Sequence, residues 1–360
     1  MRRVFISDCE GPISKNDNAF EMTASFVPDG DRLFVAISRY DDVLADIVKK
    51  TGYMAGGTLK LILPFLRAYD VTDIKMEEFS ARQLTLIANI KETLQHVRSI
   101  ADAFIVSTSY EHYIRAMCHA LEFPCENAYC TKLEVDKYFV PENEKAELKK
   151  LAHEIAQMPI FEIPLEAKSL KDLAEPAQKM IQRLDHMFWN EIASMKSGKI
   201  YQEVKPMGGT GKAEAIRDIV RRLCVRLAEV MYVGDSITDE QAFRLVKENG
   251  GLAVSFNGNQ YAIENAEVAV LSSNSIVTAV LADIFCRFGK ARTMDLVERW
   301  NGEALKESPV DKTLLDRLFR LYPDELPKVK IITRGNMETL IKESTQFRKS
   351  VRGEDIGRLG

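Results

Sequence analysis

The chain predicts an α/β fold built on a parallel sheet. Three observations carry this. From residue 211 to 288 helical and extended patterns alternate, which implies parallel strands joined by right-handed crossovers. The extended segments are short apolar runs, as buried strands are. The chemistry-bearing residues cluster directly after those runs, at the carboxyl ends where such sheets hold ligands.

Taken in order, the first strand is Val4-Phe5-Ile6-Ser7, and it runs into Asp8-Cys9-Glu10-Gly11-Pro12. Residues 16–88 read as a largely helical cap insertion. Apolar residues recur at three- and four-residue steps over 41–50 and 59–69, around a break at Gly52, Gly56 and Gly57. Asp41 and Asp42 read as acids at a helix N-terminus, where the dipole favours them. A helix over 81–98 returns the chain to a second strand, Ala103-Phe104-Ile105-Val106, which ends in Ser107-Thr108-Ser109.

Beyond it, 112–122 reads as a helix and 126–139 as a short β segment. Residues 142–158 and 166–196 are strongly helical, punctuated by Pro141, Pro159, Pro164 and Pro176. Residues 136–199 thus form a second helical insertion, a second cap or an interaction arm. Then follow helix 211–227, strand 229–233, helix 238–248, strand 252–255, helix 260–265, strand 267–271 and helix 274–288. This leaves a core of 1–15, 89–135 and 200–289, and a helical C-terminal extension over 290–360 with a strand near 328–333. The basic end of that extension, Arg348, Lys349, Arg352 and Arg358, reads as a solvated face.

Four pieces carry chemistry. Asp8 and Glu10 end the first strand, and Gly11 lets backbone amides approach an anion. Ser107 and Thr108 end the second. Met207-Gly208-Gly209-Thr210-Gly211-Lys212 opens a helix with a lysine in its first turn. Gly234-Asp235-Ser236-Ile237-Thr238-Asp239 ends a strand with two acids four residues apart. Such a set suits phosphoryl transfer through an aspartyl-phosphate with a magnesium ion. The glycine-rich turn is not a nucleotide-binding P-loop, because Ala213 follows Lys212 where serine or threonine is needed.

In this order the set resembles the haloacid dehalogenase superfamily, whose core is a Rossmann-like parallel sheet. The likeness covers residues 4–14, 90–120, 205–260 and 262–288. The stretch from Gly234 to Asp239, followed by Gly251-Leu252-Ala253-Val254-Ser255-Phe256-Asn257-Gly258-Asn259, looks like the phosphoserine phosphatase branch. The chain also resembles uncharacterised archaeal members. The resemblance implies Asp8 as nucleophile and Glu10 as general acid and base, where most members carry aspartate. It implies Ser107, Thr108, Gly11 and Lys212 around the phosphate, with Lys212 also pairing with Asp8. Mg2+ would be held by Asp8, the Glu10 carbonyl, Asp235 and Asp239.

Thr108 and Ser109 stand where phosphoserine phosphatases usually have two glycines, and the first insertion lacks that cap pattern, so phosphoserine is not the expected substrate. The Asp-x-Glu-Gly loop also resembles a phosphoserine:homoserine phosphotransferase. The expectation is a Mg-dependent phosphatase of a small phosphorylated metabolite. The alternatives are a phosphotransferase to an alcohol acceptor and a non-catalytic subunit or scaffold. Arg39, Lys60 and Arg67 in the first insertion read as solvated helix charges.

Composition sets outer limits. Lys plus Arg number 49 against 53 Asp plus Glu, a net charge of −4, which argues against nucleic acid as partner. No apolar run approaches the roughly 18 residues of a membrane span, and Met1-Arg2-Arg3 leads into a core strand, so no membrane partner and a cytoplasmic location are expected. Cys118, His119, Cys125 and Cys130 lie close in sequence but in no common zinc spacing, and the cysteines read as buried free thiols. The oligomeric state is left open.

Overall fold

The computed structural model describes residues 2–164 and 167–357. The strands are β1 (Val4–Ser7), β2 (Asp102–Tyr110), β3 (Ala128–Thr131), β4 (Val230–Gly234), β5 (Leu252–Phe256), β6 (Val268–Leu271) and β7 (Lys328–Ile331). They form one sheet in the order β3-β2-β1-β4-β5-β6-β7, parallel throughout except for β7, which runs antiparallel to β6 at the edge. The α/β class with a parallel, Rossmann-like core is what the sequence implies. β1 is central: Ser7 lies level with Ile105 of β2 and Val233 of β4, so three motif-bearing strands end side by side.

The helices that shape the site are α1 (Asn18–Phe26), α2 (Gly30–Asp42), α3 (Glu142–Ala156), α4 (Glu175–His186), α5 (Thr210–Leu223), α6 (Glu240–Glu248) and α7 (Met337–Arg352). Side chains alternate across the sheet as the pleat requires. Phe5, Met231 and Val233 pack on one face with the helix Ile276–Phe288, and Val4, Ile6 and Tyr232 on the other with Ile216 of α5 and Phe243 of α6. Both faces are covered, which is why the strands read as unbroken apolar runs.

The two insertions share one apolar core, in which Phe20, Phe34, Tyr40 and Phe65 meet Leu148, Ile181 and Phe188. Tyr40 stacks on Phe188 with ring centroids 5.5 Å apart, and Trp189 Nε1 donates to the Tyr40 hydroxyl at 2.7 Å. The second insertion therefore packs against the first. The C-terminal extension supplies β7, and its α7 returns along the sheet, with Ser344 Oγ donating to the Gly258 carbonyl at 2.6 Å.

Several local expectations are corrected. Asp41 and Asp42 lie at the carboxyl end of α2, and both are buried; the helix begins at Gly30 and widens into a π turn over Val43–Ile47. The helix expected over 81–98 is split into Asp73–Gln83 and Ile90–Ile100. Between them the chain is extended because it pairs with the segment after Asp8: Lys15 N donates to the Thr85 carbonyl and Ile87 N to that of Ile13. Of the β segment 126–139, only Ala128–Thr131 joins the sheet. The helix expected over 166–196 begins at Glu175, and its first residue, like 165, lies outside the described residues. Cys9, Cys118, Cys130 and Cys286 are buried free thiols, but Cys125 and Cys224 are exposed. Arg67 is not a solvated charge: its guanidinium donates to the Tyr138 and Val71 carbonyls and to Asp136. Among the described residues no helix is long and apolar enough to cross a membrane.

Candidate active site

Asp8 leaves β1 with its backbone amide still in the ladder, donating to the Val233 carbonyl at 2.8 Å. The residue is buried. Its Oδ1 accepts from Cys9 N at 2.6 Å and its Oδ2 from Lys212 Nζ at 2.6 Å. Lys212, in the first turn of α5, has no exposure and gives a second bond to Asp239 Oδ1 at 2.6 Å. Burial opposes the lysine's charge, but Asp239 and Asp8 outweigh it and raise its pKa. Burial pushes Asp8 up to about 7, with Asp239 and Asp235 adding to this and Lys212 opposing. Added positive charge in the cavity would favour its ionised form.

Asp239 is satisfied from its own neighbourhood. Its Oδ1 accepts from the Tyr232 hydroxyl at 2.6 Å as well as from Lys212, and its Oδ2 accepts from Asp235 N and Ser236 N at 2.9 and 3.0 Å. With Ser236 it closes a capping box at the turn before α6, so both its oxygens are committed to the protein. Gly234 is required beside it, since a Cβ there would meet the Asp239 carboxylate at 2.5 Å.

Asp235 is held differently. Two guanidinium groups of α7 meet its Oδ2: Arg348 through Nη1, and Arg352 through Nη1 at 3.1 Å. All three residues are buried or nearly so. The expected solvated basic face is thus turned inward at these two positions, while Arg358 lies outside the described residues. Gly11, at φ +105°, passes directly beneath Asp235, where a Cβ would stand 2.2 Å from Oδ2. The expectation for Gly11 is a phosphate-binding amide, but its N–H is spent on the Ser14 carbonyl at 2.8 Å. What glycine supplies here is room.

Glu10 accepts from Asn18 N, at the start of α1, at 2.6 Å. Burial and then Asp17 push its carboxyl up to about 8, against the pull of Asn18 N and Arg352. Asp8, Glu10, Ser107, Thr108 and Asp235 line one cavity of about 100 Å³. Ser107 Oγ donates to Ser109 Oγ at 3.0 Å, and Thr108 Oγ1 is tied to the Met207 carbonyl at 3.2 Å. Lys212 does not line the cavity; it sits behind Asp8.

The roof comes from α2, where Phe34, Ser38, Asp41 and Asp42 form one face, and from Gly56, Thr58 and Leu59. Asp41 does not face the cavity as a free acid. It accepts from Gly56 N, Gly57 N and Thr58 N at 3.0–3.1 Å and from Thr58 Oγ1 at 2.9 Å, which fixes the loop between them. Gly208 admits this loop, for a Cβ there would meet the Ala55 carbonyl at 2.2 Å.

Oxygens of Asp8, Asp235 and Asp239 lie within 4.8 Å of one another, all buried. This hard-oxygen set fits a divalent cation such as Mg2+. Asp8 and Asp235 are the better placed, given how fully Asp239 is used. Sequence reasoning missed Asp17, the roof acids and the two arginines. Arg348 and Arg352 are spaced i, i+4 on one helix face, and that spacing alone does not tell an inward pair from a solvated one.

Residues 85–283 match the family model described as haloacid dehalogenase-like hydrolase. Asp8, Glu10 and the two arginines fall outside the matched stretch. No curated protein matches the chain. Among solved structures, the gene product AF1437 from Archaeoglobus fulgidus is 25% identical, with a TM-score of 0.80 and coverage of 100% of this chain and 99% of that one. An apo phosphoserine phosphatase structure is 13% identical, with a TM-score of 0.42 over 76% of this chain and 96% of that one. The matched core, on the fold described above, makes this chain a member of the haloacid dehalogenase-like hydrolase family.

Proposed function

We propose that the protein is a magnesium-dependent phosphatase of a small phosphorylated metabolite, acting through an aspartyl-phosphate on Asp8. One observation carries this reading. Asp8 sits at the end of the central strand bonded to Lys212, among converging acids, with Glu10 on the same loop lining the same cavity.

The steps assign each residue a task. An Asp8 oxygen attacks phosphorus and the ester P–O bond breaks, while Glu10 gives its proton to the departing alkoxide. Its raised pKa keeps that proton in place near neutral pH. Water then attacks the acyl-phosphate, Glu10 takes the proton back, and phosphate leaves with Asp8 regenerated. Ser107 donates to a phosphoryl oxygen, and Lys212 holds Asp8 in place from behind. A divalent cation bound by Asp8, Asp235 and the Glu10 carbonyl would offset the repulsion between carboxylate and phosphoryl oxygens. The small cavity favours compact substrates.

The test is a panel of phosphorylated metabolites assayed with Mg2+, with and without chelator and alcohol acceptors. Phosphate release that requires Mg2+ and is lost in Asp8→Asn is expected. Turnover that survives chelator or the substitution would overturn the proposal, and phosphoryl transfer to alcohol in preference to water would replace hydrolysis by phosphotransfer.

A further inference from the structure

Asp235 is held by residues that the family match does not include. Arg348 and Arg352, one turn apart on α7, lie 113 and 117 residues downstream, yet both reach its Oδ2. Arg348 Nη1 also donates to the Asp235 carbonyl at 3.3 Å. The remaining donors of Arg352 go to the Lys15 carbonyl at 2.9 Å and to that of Asn16, on the segment just after the Asp8 loop. One guanidinium therefore ties the loop after β1 to the loop after β4.

Two features make this more than a means of docking a helix. Burying arginines is costly unless they are paired, and apolar side chains would attach α7 at least as well. Both arginines engage Oδ2, leaving Oδ1 outside the clamp.

We propose that Arg348 and Arg352 are positioning residues, and that α7 is a working part of the site through the grip of these two side chains on Asp235. The kinetic consequence rests on the phosphatase reading; the effect on cation binding does not. Groups that orient a metal ligand typically change affinity or rate by about 10–100-fold when altered.

The experiment uses the full chain with Arg348→Gln, Arg352→Gln and Arg352→Lys, and with Lys342→Gln, an exposed position on the same helix, as control. Mn2+ is titrated and followed by the electron paramagnetic resonance of the free ion, and kcat and KM are measured on p-nitrophenyl phosphate. The glutamine variants are expected to raise the Mn2+ Kd about tenfold and lower kcat about 10–100-fold, with KM within about twofold. Arg352→Lys should recover part of both, and Lys342→Gln should change neither. If the glutamine variants fail to fold, Arg348→Lys carries the test with the same signs, since it keeps the charge and loses the fork. Unchanged Mn2+ affinity and kcat in folded variants would overturn the proposal. So would tighter Mn2+ binding with faster turnover, which would make the arginines a plug that competes for Asp235. A wild type without turnover whose Mn2+ binding weakens in the variants upholds the clamp and removes the phosphatase. A wild type that neither binds Mn2+ nor turns over removes both.

Discussion

Asp235 and Asp239 stand four residues apart on one loop and are held in opposite ways. Asp239 draws its partners from Tyr232, from the amides of its own turn and from Lys212. Asp235 is gripped by a helix at the far end of the chain. The local network sets the frame of the site. The distant clamp sets the member of the pair that lines the cavity with Asp8. The difference teaches that a motif can specify where a carboxylate stands without specifying what orients it.

Four substitutions would break or sharpen that contrast. The largest effect is expected at Asp8, the residue common to both acids: Asp8→Asn should lower phosphate release at least about a thousandfold with the circular dichroism unchanged, because an amide forms no acyl-phosphate. Residual turnover within tenfold of wild type would remove it as nucleophile. On the locally held side, Lys212→Met strips Asp8 and Asp239 of their shared cation. Denaturant unfolding should show a loss of about 3–5 kcal/mol, the cost of an uncompensated buried charge. A loss smaller than that of Arg352→Gln would invert the comparison.

On the remotely held side, Gly11→Ala pushes a methyl group against Asp235 at a backbone angle that alanine resists. A loss of about 2 kcal/mol in stability and tenfold or more in kcat is expected; wild-type kcat would show that Asp235 has slack. The smallest effect concerns the roof. Burial, then Asp41, raises Asp42 to about 7, so the native state binds its proton more tightly than the unfolded chain. Stability should therefore fall as pH rises from about 4 to about 7 and level off above. Asp42→Asn should flatten part of that fall, by about 3 °C in Tm between pH 5 and pH 8. Equal slopes in the two proteins would argue that Asp42 titrates normally.

The sequence by itself determined the sheet and its chemical edge. Val4 to Ser7, Ala103 to Val106 and Val230 to Val233 are apolar because both faces of the sheet are covered, and the residues that follow them gather by topology alone. Asp8, Glu10, Ser107 and Asp235 were legible for that reason, and Lys212 from the glycine-rich turn that opens α5: local pattern fixes the strand, and parallel pairing fixes which ends meet. Only the tertiary structure decided the rest. Asp41 and Asp42 read as helix-start acids because periodicity marks a helix without marking its ends. Gly11 read as an anion-binding amide because sequence shows a missing side chain and not what fills the space. Arg348 and Arg352 read as solvent-facing because a basic helix face carries the same pattern whether water or a carboxylate lies opposite. What lies opposite is set by how α7 packs on β6 and the loop after β5, a long-range contact that no local window contains.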